Sequence, residues 1–205
     1  MCSQENGPIS SPPQSDQLNN PIDLPEGLRW SVVDFEAVNQ VQEVYCLLRD
    51  HYVEDNDELF RFHYQIDFLK WALMGPSMHP DWYVSIRCLD SDKLVGFISA
   101  VPIELSVRDS YTSFLLIYRR LKTAEVNFLC VHREWRSKRL APLLIKEVTR
   151  RVNLVGIYQA IYTAGVKIPQ PICTATYYHM PLNQRKLVSS GFCSPHQTFS
   201  NIYKN

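Results

Sequence analysis

The chain has 205 residues, 45% hydrophobic and 12% aromatic, enough apolar material for one sizeable core. Its 21 Lys and Arg balance 21 Asp and Glu, so no overall field draws it to nucleic acid, and any electrostatic recognition is local. Six cysteines stand far apart (Cys2, Cys46, Cys88, Cys130, Cys173, Cys193), without a CxxC pair or clustered histidines; this argues against a metal site or a disulfide framework and for reduced thiols in the cytoplasm.

Residues 1–23 open with MCSQENGPISSPPQ, which has neither the basic nor the apolar region of a secretory signal and is too polar to order itself. They read as a disordered tail. The folded region is expected over 24–192, and no apolar run approaches the roughly 20 residues of a membrane span. Asp34 is the expected cap of a helix with Val38, Val41, Tyr45 and Leu48 on one face. Tyr52 to Glu58 is acidic and flanked by Phe60, Phe62 and Tyr64; it lacks the glycine and closing glutamate of a calcium loop, and by composition it reads as a solvated loop. Gln65 to Met74 reads as a helix with Ile66, Leu69 and Leu73 inward, closed by Gly75-Pro76. Trp82 to Leu89 and Leu94 to Val101 form an expected antiparallel hairpin through Asp90-Ser-Asp92.

Val126 to Val131 is an apolar run that reads as a buried strand. Arg133, Arg136, Lys138 and Arg139 then crowd the next positions, with Ser137 among them. A helix begins at Ala141-Pro142, where proline suits the first turn. Ile145, Val148, Val152 and Val155 are its apolar face, Lys146, Glu147, Arg150 and Arg151 lie between them, and Gly156 stops it. Strand, cationic loop and helix N-terminus together favour phosphate, through unpaired N–H groups, the helix dipole and nearby cations. From charge alone the loop reads equally as a solvated basic turn, and without glycine it is neither a Walker loop nor a dinucleotide fingerprint. Beyond it, Ile157 to Ala164 reads as a buried strand, Thr174 to His179 as β-prone, Asn183 to Ser190 as a helix, and 193–205 as a divergent tail.

The segment Arg136-Ser-Lys-Arg-Leu-Ala141 resembles the pyrophosphate loop of the GCN5-related acyl-CoA N-acyltransferases, with Arg139 where that pattern has its central glycine. The longer strings NFLCVHREWRSKRLAP and TRRVNLVGIYQAIYTAGV, together with LPEGLRW, YVEDNDELFRFHY, KLVGFISAVP and YYHMPLNQRKL, resemble the protein N-myristoyltransferases, the glycylpeptide N-tetradecanoyltransferases, in the same order over residues 24 to 188. The resemblance implies a mixed α/β fold of the GCN5-related type, myristoyl-CoA as acyl donor, N-terminal glycine peptides or proteins as acceptors, and no metal. It covers the first of two similar halves. By it, the second half supplies much of the peptide groove and the catalytic base, a carboxylate at its end, so the chain is expected to be a truncated, acyl-CoA-binding half, with association through the surface that half would cover. Residues 110–122 depart from it, being longer and more apolar than the family's short polar turn.

Residue by residue, the resemblance implies that the N–H groups of Phe128 and Leu129 form an oxyanion hole at a bulge. It sets Phe128, Leu129, Cys130 and Val131 beside the pantetheine, and Arg136, Ser137, Lys138, Arg139, Leu140 and Ala141 on the coenzyme phosphates. Asn127 and Thr163 would orient the attacking amine, and Tyr52, Asp55, Asp57, Phe60, Phe62, Tyr177 and His179 would contact the peptide. Cys130 and His132 could suggest a thiol nucleophile, but a core cysteine is the plainer reading, and the glycine amine needs no such group. Two rival functions stand beside this one: a generic small-acyl N-acyltransferase using the same loop, and a non-catalytic module that binds acyl-CoA or competes with a full enzyme for a partner.

Overall fold

Strand alternation decides which helix covers which face of the sheet. A computed structural model describes residues 19–53, 62–112, 115–165, 168–169, 171–176, 178 and 182–192, with the backbone alone over 108–112 and 115–119. Five strands, β1 (Leu28–Val32), β2 (Val84–Cys88), β3 (Leu94–Thr112), β4 (Leu115–Val131) and β5 (Ala160–Ile161), lie side by side in chain order. The first four are antiparallel, whereas β5 returns parallel to β4 after a helix, giving the expected mixed α/β sheet.

Phe97 and Ile98, consecutive on β3, point to opposite faces. On the Phe97 side, α1 (Val38–His51) packs through Val41, Val44, Leu47 and Leu48, and α2 (Ile66–Leu73) through Leu69 and Leu73. On the Ile98 side, α3 (Leu140–Leu154) packs through Leu140, Leu144, Val148 and Val152 against Trp82, Val84 and Ile86. Full burial of each such aliphatic side chain is worth about 1.5–3 kcal/mol. Gly96 on β3 allows this close approach, since a Cβ there would meet Leu144 Cδ1 at 3.1 Å.

Several expectations shift. The inward face of α3 runs through Leu144, not Ile145, which is 46% exposed, and Val155 lies beyond the helix end. Glu147, expected on the polar side, is fully buried because it has partners: Arg150 Nε and Nη2 donate to it at 2.9 and 2.8 Å, Arg151 Nε at 2.8 Å and the Ile22 N–H at 3.1 Å. The Ile22 carbonyl in turn accepts from Trp30 Nε1 at 2.6 Å, so the entering chain is fixed at both of its polar groups. Asp34 does not cap α1. Its Oδ1 accepts from the Glu36 N–H at 2.8 Å in a local turn, and Ala37 is the cap residue. Trp82 belongs to a 3₁₀ turn, Pro80–Trp82, ahead of β2.

The hairpin of β3 and β4 is far longer than the expected strands. Its ladder runs from Gly96 opposite Val131 to Thr112 opposite Leu115, and so takes in the backbone of 110–112 and 115–122. In contrast, β5 is only two residues, because this edge strand pairs on one side alone and Tyr158, Ala160 and Tyr162 are exposed. Contacts divide the chain into two units, Met1–Thr163 and Ala164–Asn205. The second contains α4 (Gln184–Ser189), begun by Asn183, whose side chain accepts from the Lys186 N–H at 3.0 Å, and stopped by Gly191 at φ 75°. Thr174 to Thr176 form no strand, having no ladder partner.

Glu147→Ala is expected to cost about 3 kcal/mol in denaturant unfolding, since two half-buried guanidinium groups and a backbone N–H lose their shared acceptor. Burial alone would raise the Glu147 pKa, but the hydrogen bonds from Arg150, Arg151 and Ile22 outweigh it and hold the group below its ordinary value. The stability it supplies is therefore complete above the usual glutamate range, and it is lost as the pH falls from about 4.3 through the lower folded value.

Candidate functional site

The end of β4 departs from regular pairing in one place. Ser99 faces Asn127 and Phe97 faces Cys130, so Phe128 and Leu129 together oppose Ile98. This is a β-bulge, and Phe128 takes the left-handed φ of 54° to make it. The Phe128 N–H turns out of the ladder to the Asn127 side chain, donating to Oδ1 at 2.9 Å, while the Asn127 carbonyl accepts from Ser99 Oγ at 3.0 Å. The parallel register of β5 ends at Ile161 opposite Glu125, two residues short of both Thr163 and Asn127. Thr163 is exposed and outside any regular element.

The bulge delivers the Phe128 ring to the α1 side. Tyr64 meets it edge-on at 5.4 Å and Tyr52 at 6.3 Å, and Tyr64 is stacked between Phe62 at 5.9 Å and Phe68 at 5.0 Å. Burial pushes the Tyr52 phenol up to about 12, with Tyr64 and Cys130 adding to the shift and a backbone hydrogen bond from Phe128 opposing it. Tyr52 and Phe62 therefore belong to one aromatic cluster. Tyr64 and Phe68 complete it, a pair the aromatic spacing of 60–68 could have indicated. Asp55, Asp57 and Phe60 fall outside the described residues, as do Tyr177 and His179.

Cys130 is 3% exposed, and its Sγ lies 3.7 Å from the Leu47 carbonyl, which makes it part of the core under α1. His132 lies elsewhere, against His51, their ring centroids 3.9 Å apart. The Nδ1 atom of each imidazole accepts from a backbone N–H of the 3₁₀ turn Arg133–Trp135: His51 from Arg133 at 3.5 Å and His132 from Glu134 at 3.4 Å.

The cationic loop follows directly. Arg136 is tethered at both ends of its guanidinium, Nε to the Val131 carbonyl at 3.3 Å and Nη2 to the His51 carbonyl. Lys138 Nζ lies 3.9 Å over the ring of Trp135, which is half-buried against the core and not a surface residue as its neighbours suggest. Ser137 and Arg139 take left-handed φ values of 70° and 56°, which glycine would ordinarily supply. Arg139 is the residue before α3, so the loop turns its backbone onto the free N–H groups of a 15-residue helix. Leu140 is buried as the anchor of that start, and Ala141 is half-buried beside it.

Such a place can hold a polyanion at α3 and offer backbone N–H groups at the bulge to a developing negative charge. Among the described residues no helix is long and apolar enough to cross a membrane.

The chain matches the family described as myristoyl-CoA:protein N-myristoyltransferase, N-terminal domain, over residues 8–175. The glycylpeptide N-tetradecanoyltransferase of Drosophila melanogaster is 50% identical over 172 residues, covering 84% of this chain and 34% of that protein. Its counterpart in Dictyostelium discoideum is 43% identical over 202 residues, 98% of this chain and 47% of that protein. The crystal structure of Saccharomyces cerevisiae N-myristoyltransferase with bound myristoyl-CoA matches at a TM-score of 0.81 and 41% identity, covering 94% of this chain and 44% of the other. The chain thus spans less than half the length of these relatives.

The left-handed position before α3 makes a stability prediction. Arg139→Gly is expected to be about 1 kcal/mol more stable than Arg139→Ala in denaturant titrations, the reverse of the order inside a helix, because only the alanine retains the steric cost of a positive φ.

Proposed function

Because the chain belongs to the N-myristoyltransferase family, as its amino-terminal domain, we propose that it binds myristoyl-CoA and takes part in moving the myristoyl group to the N-terminal glycine amine of a protein or peptide. The observation that carries this reading is the run of β4 from the bulge at Phe128 into the left-handed, cationic turn before α3. One strand end thereby offers both an oxyanion site and a phosphate seat.

In this reading Arg136, Ser137, Lys138, Arg139, Leu140 and Ala141 hold the coenzyme phosphates, and Phe128 to Val131 run beside the pantetheine. The amine nitrogen adds to the thioester carbonyl carbon, and the oxygen that becomes negative is received by the N–H groups of Phe128 and Leu129. Asn127 Oδ1 now occupies the first of these donors and gives it up to the thioester oxygen. The carbon–sulfur bond then breaks, and the coenzyme leaves as the thiol with the proton the amine has lost. Asn127 and Thr163 orient the amine, while Tyr52 and Phe62, with Tyr64, line the peptide's approach. No side-chain nucleophile takes part, in keeping with the buried Cys130. The thiols of Cys46, Cys88, Cys130 and Cys173, none of them in a disulfide among the described residues, suit a cytoplasmic setting.

A second reading rests on the same loop and bulge alone, an acyl-CoA-binding module without turnover. Titration calorimetry with myristoyl-CoA, followed by mass spectrometry after adding a glycine-initiated peptide, separates the two. Binding with acylated product supports the transferase, binding without product supports the module, and no binding overturns both. Arg139→Glu is expected to weaken myristoyl-CoA binding by about tenfold or more, the equivalent of one charge-assisted phosphate contact.

A further inference from the structure

We propose that His51 and His132 form an acid-sensitive latch on the phosphate loop: neutral, they hold the turn Arg133–Trp135 against the end of α1, and on protonation they release it. This rests on the reading of the loop as the coenzyme seat only for its functional consequence, not for the latch itself.

The geometry requires the neutral rings. Each Nδ1 accepts from a backbone N–H of the turn, so each ring must be unprotonated at that atom. Protonating either Nδ1 sets N–H against N–H and removes an acceptor from the turn, with the Glu134 carboxylate, 3.7 Å from His132 Nδ1, offsetting part of the charge at that ring. The rings are 3.9 Å apart, so a proton on one opposes a proton on the other. His51 also offers its carbonyl to Arg136, and the His132 N–H donates to the Val95 carbonyl. The pair therefore ties α1, β3 and the loop together at one point.

The surrounding charges are mixed. Arg133 and Arg136 from the loop and Lys93 from the β2–β3 connection disfavour the charged rings, whereas Asp50 on α1 and Glu134 in the turn favour them. Glu43 and Cys46 of α1 line the same cavity, of about 250 Å³. Burial is the largest influence on both rings, and it pushes each pKa below the ordinary histidine value. The unfolded chain therefore takes up protons first as the pH drops below about 6.5, and the stability held by the neutral pair is lost from there down to the folded values.

The test compares the chain with His51→Asn at pH 7.5 and 5.5, with two readouts. Asparagine offers a non-titrating oxygen to the Arg133 N–H. Hydrogen exchange, corrected for intrinsic rates, is expected to show about tenfold less protection of the Arg133–Arg136 amides at pH 5.5 in the parent chain and a smaller loss in the variant, in which His132 alone of the pair still titrates. Calorimetry with coenzyme A is expected to show about a tenfold greater loss of affinity on acidification in the parent than in the variant. Protonation of the coenzyme's own phosphate, pKa about 6, is common to both and cancels. Protection independent of pH in the parent, or an equal loss in both proteins, overturns the latch. Loss of protection without coenzyme binding at either pH supports the latch and overturns the seat. Should His51→Asn not fold, NMR titration of the parent decides: two imidazole midpoints below 6.5, matched by the turn amides, support the latch, and midpoints at or above 6.5 overturn it.

Discussion

Two residues of β4, Phe128 and Leu129, opposite the single Ile98 of β3 set the arrangement on which both packing and site depend. Up to the bulge, Ala124 and Val126 face α3; after it, Phe128 and Cys130 face α1 and α2, while Leu129 and Val131 turn to α3. A regular strand would point Phe128 to the same face as Val126. The left-handed φ costs on the order of 1 kcal/mol, and full burial of a phenylalanine outweighs it. The same extra residue withdraws the Phe128 N–H from the ladder and hands it to the Asn127 side chain, so the device that lets one strand be covered on both faces also sets a backbone donor apart at the bulge.

That device would serve nothing if α3 did not begin where the strand ends. Leu144 fills the space above Gly96, and Glu147 gathers Arg150, Arg151 and the entering chain at Ile22. The helix is thus fixed along its length by an apolar seam and a buried ion cluster. A buried carboxylate is poor evidence of net stability, but its several donors define where the helix lies, and with it the direction of its N-terminal N–H groups.

Much of this was legible in the residues. The apolar run 126–131, the cations of 133–139, Pro142 and Gly156 marked strand, loop and helix, because each signal there is local. The buried Glu147 was not legible: its spacing reads as polar, and only the partners three and four residues on, with a distant backbone N–H, make burial tolerable. The long ribbon was half-legible, since Ile103-Glu-Leu-Ser-Val-Arg108 alternates with period two, whereas the family the chain resembles has a short turn there. Burial at β5 was overestimated because apolar composition does not distinguish an inner strand from an edge. The His51–His132 contact joins residues far apart in sequence, and no spacing rule reaches that distance.

With zero net charge overall, the chain gathers cations locally in the loop before α3, and two of them are already held. Arg136 is bound to two carbonyls and Lys138 lies on the Trp135 ring, while at Arg139 it is the backbone that is set, by the turn that starts the helix. Flexible surface cations would each lose about 0.5–1.5 kcal/mol of side-chain freedom on meeting a phosphate. For Arg136 and Lys138 folding has already imposed part of that ordering, through contacts with β4, α1 and Trp135. The positive φ values at Ser137 and Arg139 extend the same logic to the backbone: strain accepted in the folded chain presents N–H groups in advance of any ligand. On the proposed reading of the loop as the coenzyme seat, its preparation depends on whatever holds it to α1, and the histidine pair beneath it does that.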